Sequence, residues 1–334
     1  MLIKRKPGWA LPESAATPEA KFRNRRTIVK GMIAGGLIAG GGVLGARLAG
    51  IGEDGGIDAV AAAEDDPNAA RYPAERNERL SVDRAVTEER ITSTYNNFYE
   101  FGSHKNVWKA AQKLAIRPWE VLIDGLVETE VRIQADELIA RMPLEERITR
   151  HRCVEAWGMT IPWTGFPLAR LVELAKPLGS AKYLKMTTFF DPEVAPGHRQ
   201  TFYPWPYVEG LTMAEATHEL AFIVTGAYGK PLLKQYGTPL RLATPWKYGF
   251  KQIKSIVNFS FTEDRPKTFW EIIAPSEYGF WANVNPGFSH PRWSQSSERD
   301  LATEERVATK LYNGYGEFVA SLYEDMPQDR RLFM

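Results

Sequence analysis

The sequence predicts an α+β fold. Three observations carry this: short helical and strand patterns alternate without a regular βαβ repeat; 22 prolines and 27 glycines fall mostly between those patterns; and 44% hydrophobic content over 334 residues supplies ample core for one large domain.

Taken in order, 104–114 reads as a helix with Val107, Ala110, Ala111 and Leu114 on one face. Residues 119–126 read as a strand, and 135–142 as a short helix stopped before Pro143. A helix over 167–175 starts on proline and carries Leu168, Leu171, Val172 and Leu174. Segments 182–190, 220–225, 240–243 and 253–261 are strands by their β-branched and aromatic content. Mixed sheets with short helices and long loops follow, and such loops usually carry sites.

Ahead of this body lies a different composition. Asn24-Arg25-Arg26-Thr27-Ile28-Val29-Lys30 precedes an uncharged run, 31–46, that holds seven glycines. Paired arginines before a weakly apolar core are the pattern of a twin-arginine export signal, whereas about 20 strongly apolar residues are needed to span a bilayer. Small residues at Ala59-Val60-Ala61 and Ala61-Ala62-Ala63 place the end of the signal near residue 63. Residues 1–63 are therefore read as the signal peptide and 64–90, charged and poor in large apolar side chains, as a linker or extended N-terminal arm. The folded body occupies 91–334. Twin-arginine export carries folded proteins, commonly because a cofactor is loaded before export, so the expected address is the periplasm and the export machinery an expected partner.

The net charge of +1 hides an asymmetry, since residues 1–63 contribute +4 and the remainder −3. A mildly acidic body argues against nucleic acid as a partner.

Cys153 is the single cysteine, so no intramolecular disulfide is possible. It stands in His151-Arg152-Cys153-Val154-Glu155-Ala156-Trp157. In an extended chain His151, Cys153 and Glu155 share one face, and the neighbouring Arg150, Arg152 and His151 are expected to favour the thiolate. A buried structural cysteine and a Cys/His nucleophile are both compatible with the residues. Zinc is disfavoured, because there is no second cysteine, no H-E-x-x-H, and the five histidines are scattered. The remaining reading is a metal whose other ligands are not protein.

Two further segments stand out. Arg241, Lys247, Lys251 and Lys254 lie within 14 residues, interleaved with Trp246, Tyr248 and Phe250. That suits a bound anion such as a phosphate, against the plainer alternative of a solvated basic loop. In Tyr95-Asn96-Asn97-Phe98-Tyr99-Glu100-Phe101, amide and carboxylate groups sit inside an aromatic run and are costly to bury without partners.

These motifs, with Tyr207-Val208-Glu209-Gly210-Leu211 and Pro245-Trp246-Lys247-Tyr248-Gly249-Phe250-Lys251, closely resemble the catalytic subunits of periplasmic protein-methionine-sulfoxide reductases, within the sulfite oxidase superfamily. The likeness runs in order from about residue 90 onward. It implies a sulfite oxidase-type molybdopterin-binding domain over 91–334, with molybdenum held by one molybdopterin and by the Cys153 thiolate, and no haem in this chain.

By the same resemblance, Asn96, Tyr99, Glu100 and Thr188 contact the pterin, while Arg241 and Gln252-Ile253-Lys254 hold the pterin and its phosphate. Tyr236, in Gln235-Tyr236-Gly237, stands where the family usually has Asn, so a backbone contact or an altered hydrogen bond is expected there. The implied reaction reduces methionine sulfoxide in periplasmic proteins by oxygen-atom transfer, with electrons from a membrane haem b subunit that oxidises quinol. Reduction of other small S-oxides, or sulfite-type oxygen transfer, is the alternative. Glu155, two residues from Cys153, is the candidate proton donor, unless it is instead the structural partner of an arginine.

Overall fold

A computed structural model describes residues 66–80 and 82–334; the export signal read from residues 24–46 and its cleavage site lie outside the described residues. Among them, no helix is long and apolar enough to cross a membrane.

Two sheets organise the body. The first has the order β2-β1-β10-β5-β6, with β1 (Glu120–Gly125), β2 (Val131–Gln134), β5 (Tyr183–Thr188), β6 (Val208–Thr212) and β10 (Ile256–Thr262). Only the β1–β10 pairing is parallel. The second is built on a long hairpin, β3 (Glu145–Cys153) and β4 (Trp157–Pro167), in register from Glu145↔Gly165 to Cys153↔Trp157. β4 also pairs with β7 (Phe222–Ala227), and β7 with β8 (Lys230–Pro231) and β9 (Arg241–Ala243). β11 (Ser297–Asp300) joins β4 in parallel and carries β12 (Arg306–Ala308). Mixed sheets, short helices and long loops are the α+β organisation expected from the sequence.

Several expected elements form close to their places. Strand 119–126 becomes β1, 182–190 contains β5, and 253–261 shortens to β10; helices form at Ala135–Arg141 and Leu168–Ala175. The helix expected over 104–114 is the exception, with only Trp108–Ala111 helical. Its apolar face is real, since Val107, Ala111 and Leu114 are buried. The start of the segment is diverted instead: the Lys105 carbonyl accepts from the Asn96 amide at 3.0 Å, which a helix running through 104–106 would forbid.

β4 is unreadable by alternation because ten of its eleven residues are buried, so both faces are covered and the period-2 signal vanishes.

The segment ahead of the first helix is tied down along its length. Arg71 donates to the carbonyls of Ile139 and Met142, the Tyr72 hydroxyl hydrogen-bonds Thr225 Oγ1 at 2.8 Å, Arg76 pairs with Glu146, and Arg84 reaches Glu298 at 2.8 Å. Leu80 enters the core. That core divides into a larger cluster around the first sheet and a smaller one holding Cys153, Trp157, Met159, Trp163, Tyr236 and Tyr248.

Candidate active site

A cavity of about 890 Å³, counting its part open to solvent, gathers three separated stretches of chain. Residues 95–100 follow the first helix; 151–157 form the end and turn of the β3–β4 hairpin; and Tyr236, Arg241 and 249–254 come from the loops around β9. Of the residues expected at the site, Asn96, Tyr99, Glu100, Cys153, Glu155, Tyr236, Arg241, Gln252, Ile253 and Lys254 all line it. Thr188 does not. It stands one layer back, fully buried, donating to the Ser255 carbonyl at 3.1 Å and hydrogen-bonding Glu100.

The last residues of β3 place His151 and Cys153 toward the cavity and Arg152 away from it. Arg152 lies instead in a buried polar cluster, its Nε 2.6 Å from Glu298 and its Nη2 2.7 Å from Gln295. The expected sharing of a face by Glu155 has a different cause, because the strand ends at Cys153. A tight turn follows, with Ala156 at φ 62°, its amide on the Cys153 carbonyl at 3.1 Å, and the Glu155 amide 3.5 Å from the Cys153 sulfur. A left-handed alanine costs about 1 kcal/mol. It folds the Glu155 carboxylate back to 3.8 Å from Sγ.

Burial and Glu155 outweigh the nearby cations expected to favour the thiolate, although Arg152 still acts in that direction. Arg150 pairs with Asp83 and the Asn313 carbonyl, and Arg152 with Glu298. Burial above all, then the coulombic effect of Glu155, pushes the Cys153 thiol up to about 12. His151 is kept neutral, its value lowered to about 3 by burial and by Arg241 and Lys254. A thiol so poised is a poor nucleophile, but a soft metal can displace its proton.

Glu155 takes neither an arginine partner nor a free proton. Burial opposes its ionisation, yet the charge of Lys105 and hydrogen bonds from Lys105, Trp157 (2.9 Å) and Asn97 (3.4 Å) outweigh this and hold it below the ordinary carboxylate range. Lys105 also contacts the Asn97 side-chain carbonyl, and the Asn97 amide lies 3.5 Å from Sγ. Lys105 and Asn97 went unrecognised in the sequence. Asn97 had a signal, as the second amide in an aromatic run; Lys105 had none, because only the fold carries it back over the hairpin turn.

Two cations line the cavity, Arg241 and Lys254. Arg241 is buried and lies over the Trp163 ring at 4.9 Å; its Nη1 donates to the Tyr236 carbonyl at 2.9 Å, while Nε and Nη2 have no partner. Burial lowers it to about 10. Lys254 is lowered first by burial and then by Arg241, and Glu100 beside it is raised by burial. Asn96 Oδ1 is also buried without a partner.

Tyr236, the departure from the family pattern, turns its hydroxyl to Thr92 Oγ1 at 2.5 Å and leaves its carbonyl to Arg241. Gly249 permits the final approach, since a Cβ there would lie 2.7 Å from the His151 ring.

The other two cations of the basic segment correct the sequence reading. Lys247 and Lys251 point away from the cavity, paired with Glu215 at 2.5 Å and Glu209 at 2.6 Å. Only Arg241 and Lys254 remain for an anion in the cavity. Two unpartnered guanidinium nitrogens, a lysine, an orphaned amide oxygen and one buried sulfur fit a polar, anionic, metal-bearing group. Among the described residues, no three His, Cys, Asp or Glu converge to bind a metal by themselves.

Residues 79–270 match the family of oxidoreductase molybdopterin binding domains. The chain is 44% identical to the protein-methionine-sulfoxide reductase catalytic subunit MsrP of Xanthomonas campestris pv. campestris, over 94% of this chain and 95% of that one. It is 42% identical to the protein of the same description from Burkholderia mallei, over 98% of each. The chain belongs to the MsrP family. A crystal structure of the sulfane dehydrogenase SoxCD from Paracoccus pantotrophus aligns with 58% of this chain and 57% of its own, at 16% identity and a TM-score of 0.39, a likeness too partial to define the fold. Membership makes the chain a molybdopterin-binding oxidoreductase, and Cys153 is the one thiol its sequence offers that cavity.

Proposed function

We propose that the protein reduces methionine sulfoxide in periplasmic proteins to methionine, using molybdenum held by one molybdopterin and the Cys153 thiolate. The observation that carries this reading is the pairing, in one cavity, of the chain's single thiol, buried, with Lys254 and a buried Arg241 that has two guanidinium nitrogens without partners. Both relatives above are described as catalytic subunits acting on protein methionine sulfoxide.

Arg241 and Lys254 would hold the phosphate end of the cofactor. Asn96, Tyr99, Glu100, Gln252, Ile253 and Tyr236 would line the pterin, with Thr188 supporting Glu100 from behind. When bound, the cofactor supplies the oxygen acceptor and the two-electron store. The protein supplies position and protons: reducing a sulfoxide to a thioether and water consumes two electrons and two protons. Because Glu155 is held ionised, the Lys105–Glu155 pair is better suited to proton delivery than Glu155 alone, with the Lys105 ammonium as the store and the carboxylate as the acceptor facing Cys153.

The aromatic lining favours a sulfoxide carried on an apolar side chain over sulfite. Tyr99, Phe250, Trp270 and Tyr278 line the cavity, and a cofactor phosphate would neutralise Arg241 and Lys254. A sulfite site would require free cations at the point of substrate entry.

The electron donor is proposed to be a membrane haem b subunit, in keeping with relatives described as catalytic subunits, and the route to the periplasm to be twin-arginine export. The test is elemental analysis together with reductant-driven reduction of an oxidised peptide, wild type against Cys153→Ser. The variant is expected to lose both molybdenum and activity; full molybdenum and full turnover in the variant would defeat the assignment.

A further inference from the structure

Outside the cavity, the two most exposed aromatic side chains among the described residues are connected to its wall. Phe202 is 70% exposed and Phe190 56%. Phe202 packs on Tyr203 with ring centres 4.2 Å apart, and Tyr203 reaches Trp270 at 6.3 Å and Tyr99 at 6.2 Å, both of which line the cavity. From the other side, Phe190 packs on His198 at 4.9 Å, His198 on Trp205 at 4.8 Å, and Trp205 on Tyr203 at 5.4 Å. Two branches of rings thus run from solvent and converge on Tyr203, next to the cavity wall.

Exposure of this kind wastes apolar surface in a protein that acts only on small molecules. The steps between rings are one to two residues long for a bound extended chain, at about 3.3 Å per residue. The substrate chemistry supplies a matching partner. Oxidation turns a buried, flexible apolar methionine into a polar one and disrupts the core around it, so the segment carrying the sulfoxide is locally unfolded and flanked by apolar side chains that have lost their packing.

We propose that the Phe190–Tyr203–Phe202 ladder is a docking surface for apolar side chains flanking the sulfoxide in an extended polypeptide substrate. This rests on the function proposed above and deepens it, since it makes neighbouring sequence, beyond the sulfoxide itself, a determinant of specificity. Phe190 and Phe202 are positioning residues on the surface. Their removal leaves the cavity intact.

The test uses the molybdenum-loaded enzyme with a small-molecule reductant, so that no electron-donor protein takes part. Three substrates are compared: a peptide with leucine and valine on both sides of methionine sulfoxide, the same peptide with glycine and serine flanks, and free methionine sulfoxide. Wild type is expected to prefer the apolar-flanked peptide. The double variant Phe190→Ser, Phe202→Ser is expected to lose roughly tenfold in kcat/KM on that peptide alone, the scale of two partly buried phenylalanine contacts. Leu178→Ser, which removes an apolar side chain that is 44% exposed but outside the ladder, is expected to change nothing.

Equal kinetics of the double variant and wild type on the apolar-flanked peptide would overturn the docking role, as would an equal loss on all three substrates. Wild-type inactivity on all three would overturn the functional reading itself.

Discussion

Four cations within 14 residues of one another end in two opposite situations. Lys247 and Lys251 are buried and paired with Glu215 and Glu209. Lys247 also donates to the Trp281 carbonyl at 2.7 Å, and Lys251 to the Gly210 carbonyl at 3.0 Å. Arg241 and Lys254 line the cavity, and Arg241 keeps two guanidinium nitrogens without partners. A buried charge costs several kcal/mol unless something answers it. The first pair is answered by the fold, so it holds the loop in place; the second is left for the cofactor phosphate in the function proposed above.

Breaking the paired set should have the largest effect. Lys251→Met strands the Glu209 carboxylate, which already has one oxygen without a partner. Removing one member of a buried ion pair typically costs about 3–5 kcal/mol. Urea unfolding should show a loss of that size, and a change under 1 kcal/mol would show that Lys251 is not needed to neutralise Glu209.

The unpaired set should respond in the opposite sense. Arg241→Leu and Lys254→Met are expected to lose molybdenum on purification while leaving the cofactor-free protein as stable as wild type or more so. For Lys254 the pH dependence is fixed by sign. Its folded value lies below its ordinary value, so the folded state disfavours the proton, and the cost is greatest at low pH, where lysine is charged in both states. The stabilisation by Lys254→Met, measured by thermal unfolding of cofactor-free protein, should therefore be largest below neutral pH and fade as pH rises toward 10.5. A gap that widened with pH would contradict the assignment.

The smallest effect concerns Lys105, the cation beside Glu155. Lys105→Met removes the charge that holds Glu155 ionised, so the carboxyl should titrate higher. The acidic limb of the turnover profile should move up by about one pH unit, with molybdenum content unchanged. A profile that did not move would separate Glu155 from proton delivery.

Parts of this arrangement were legible in the sequence for physical reasons. β1, β5 and β10 carry local strand chemistry, and the helix at Leu168–Ala175 carries its apolar period. Cys153 stood out by being alone, and Asn96 and Glu100 by being polar within an aromatic run. β4, buried on both faces, had no alternation to read. The direction of Arg152 followed from the strand period. The return of Glu155 over the sulfur did not, because it depends on the left-handed turn at Ala156.

By itself the sequence determined the mixed fold class, the lone thiol and the presence of four cations in one segment, since these depend on composition and short-range period. Tertiary structure decided which of those cations reach the cavity, that Lys105 meets Glu155 across 50 residues, and that burial pushes the Cys153 thiol up. The reason is that charge state is set by whatever surrounds a group after folding, and the surroundings of each group here come from distant parts of the chain.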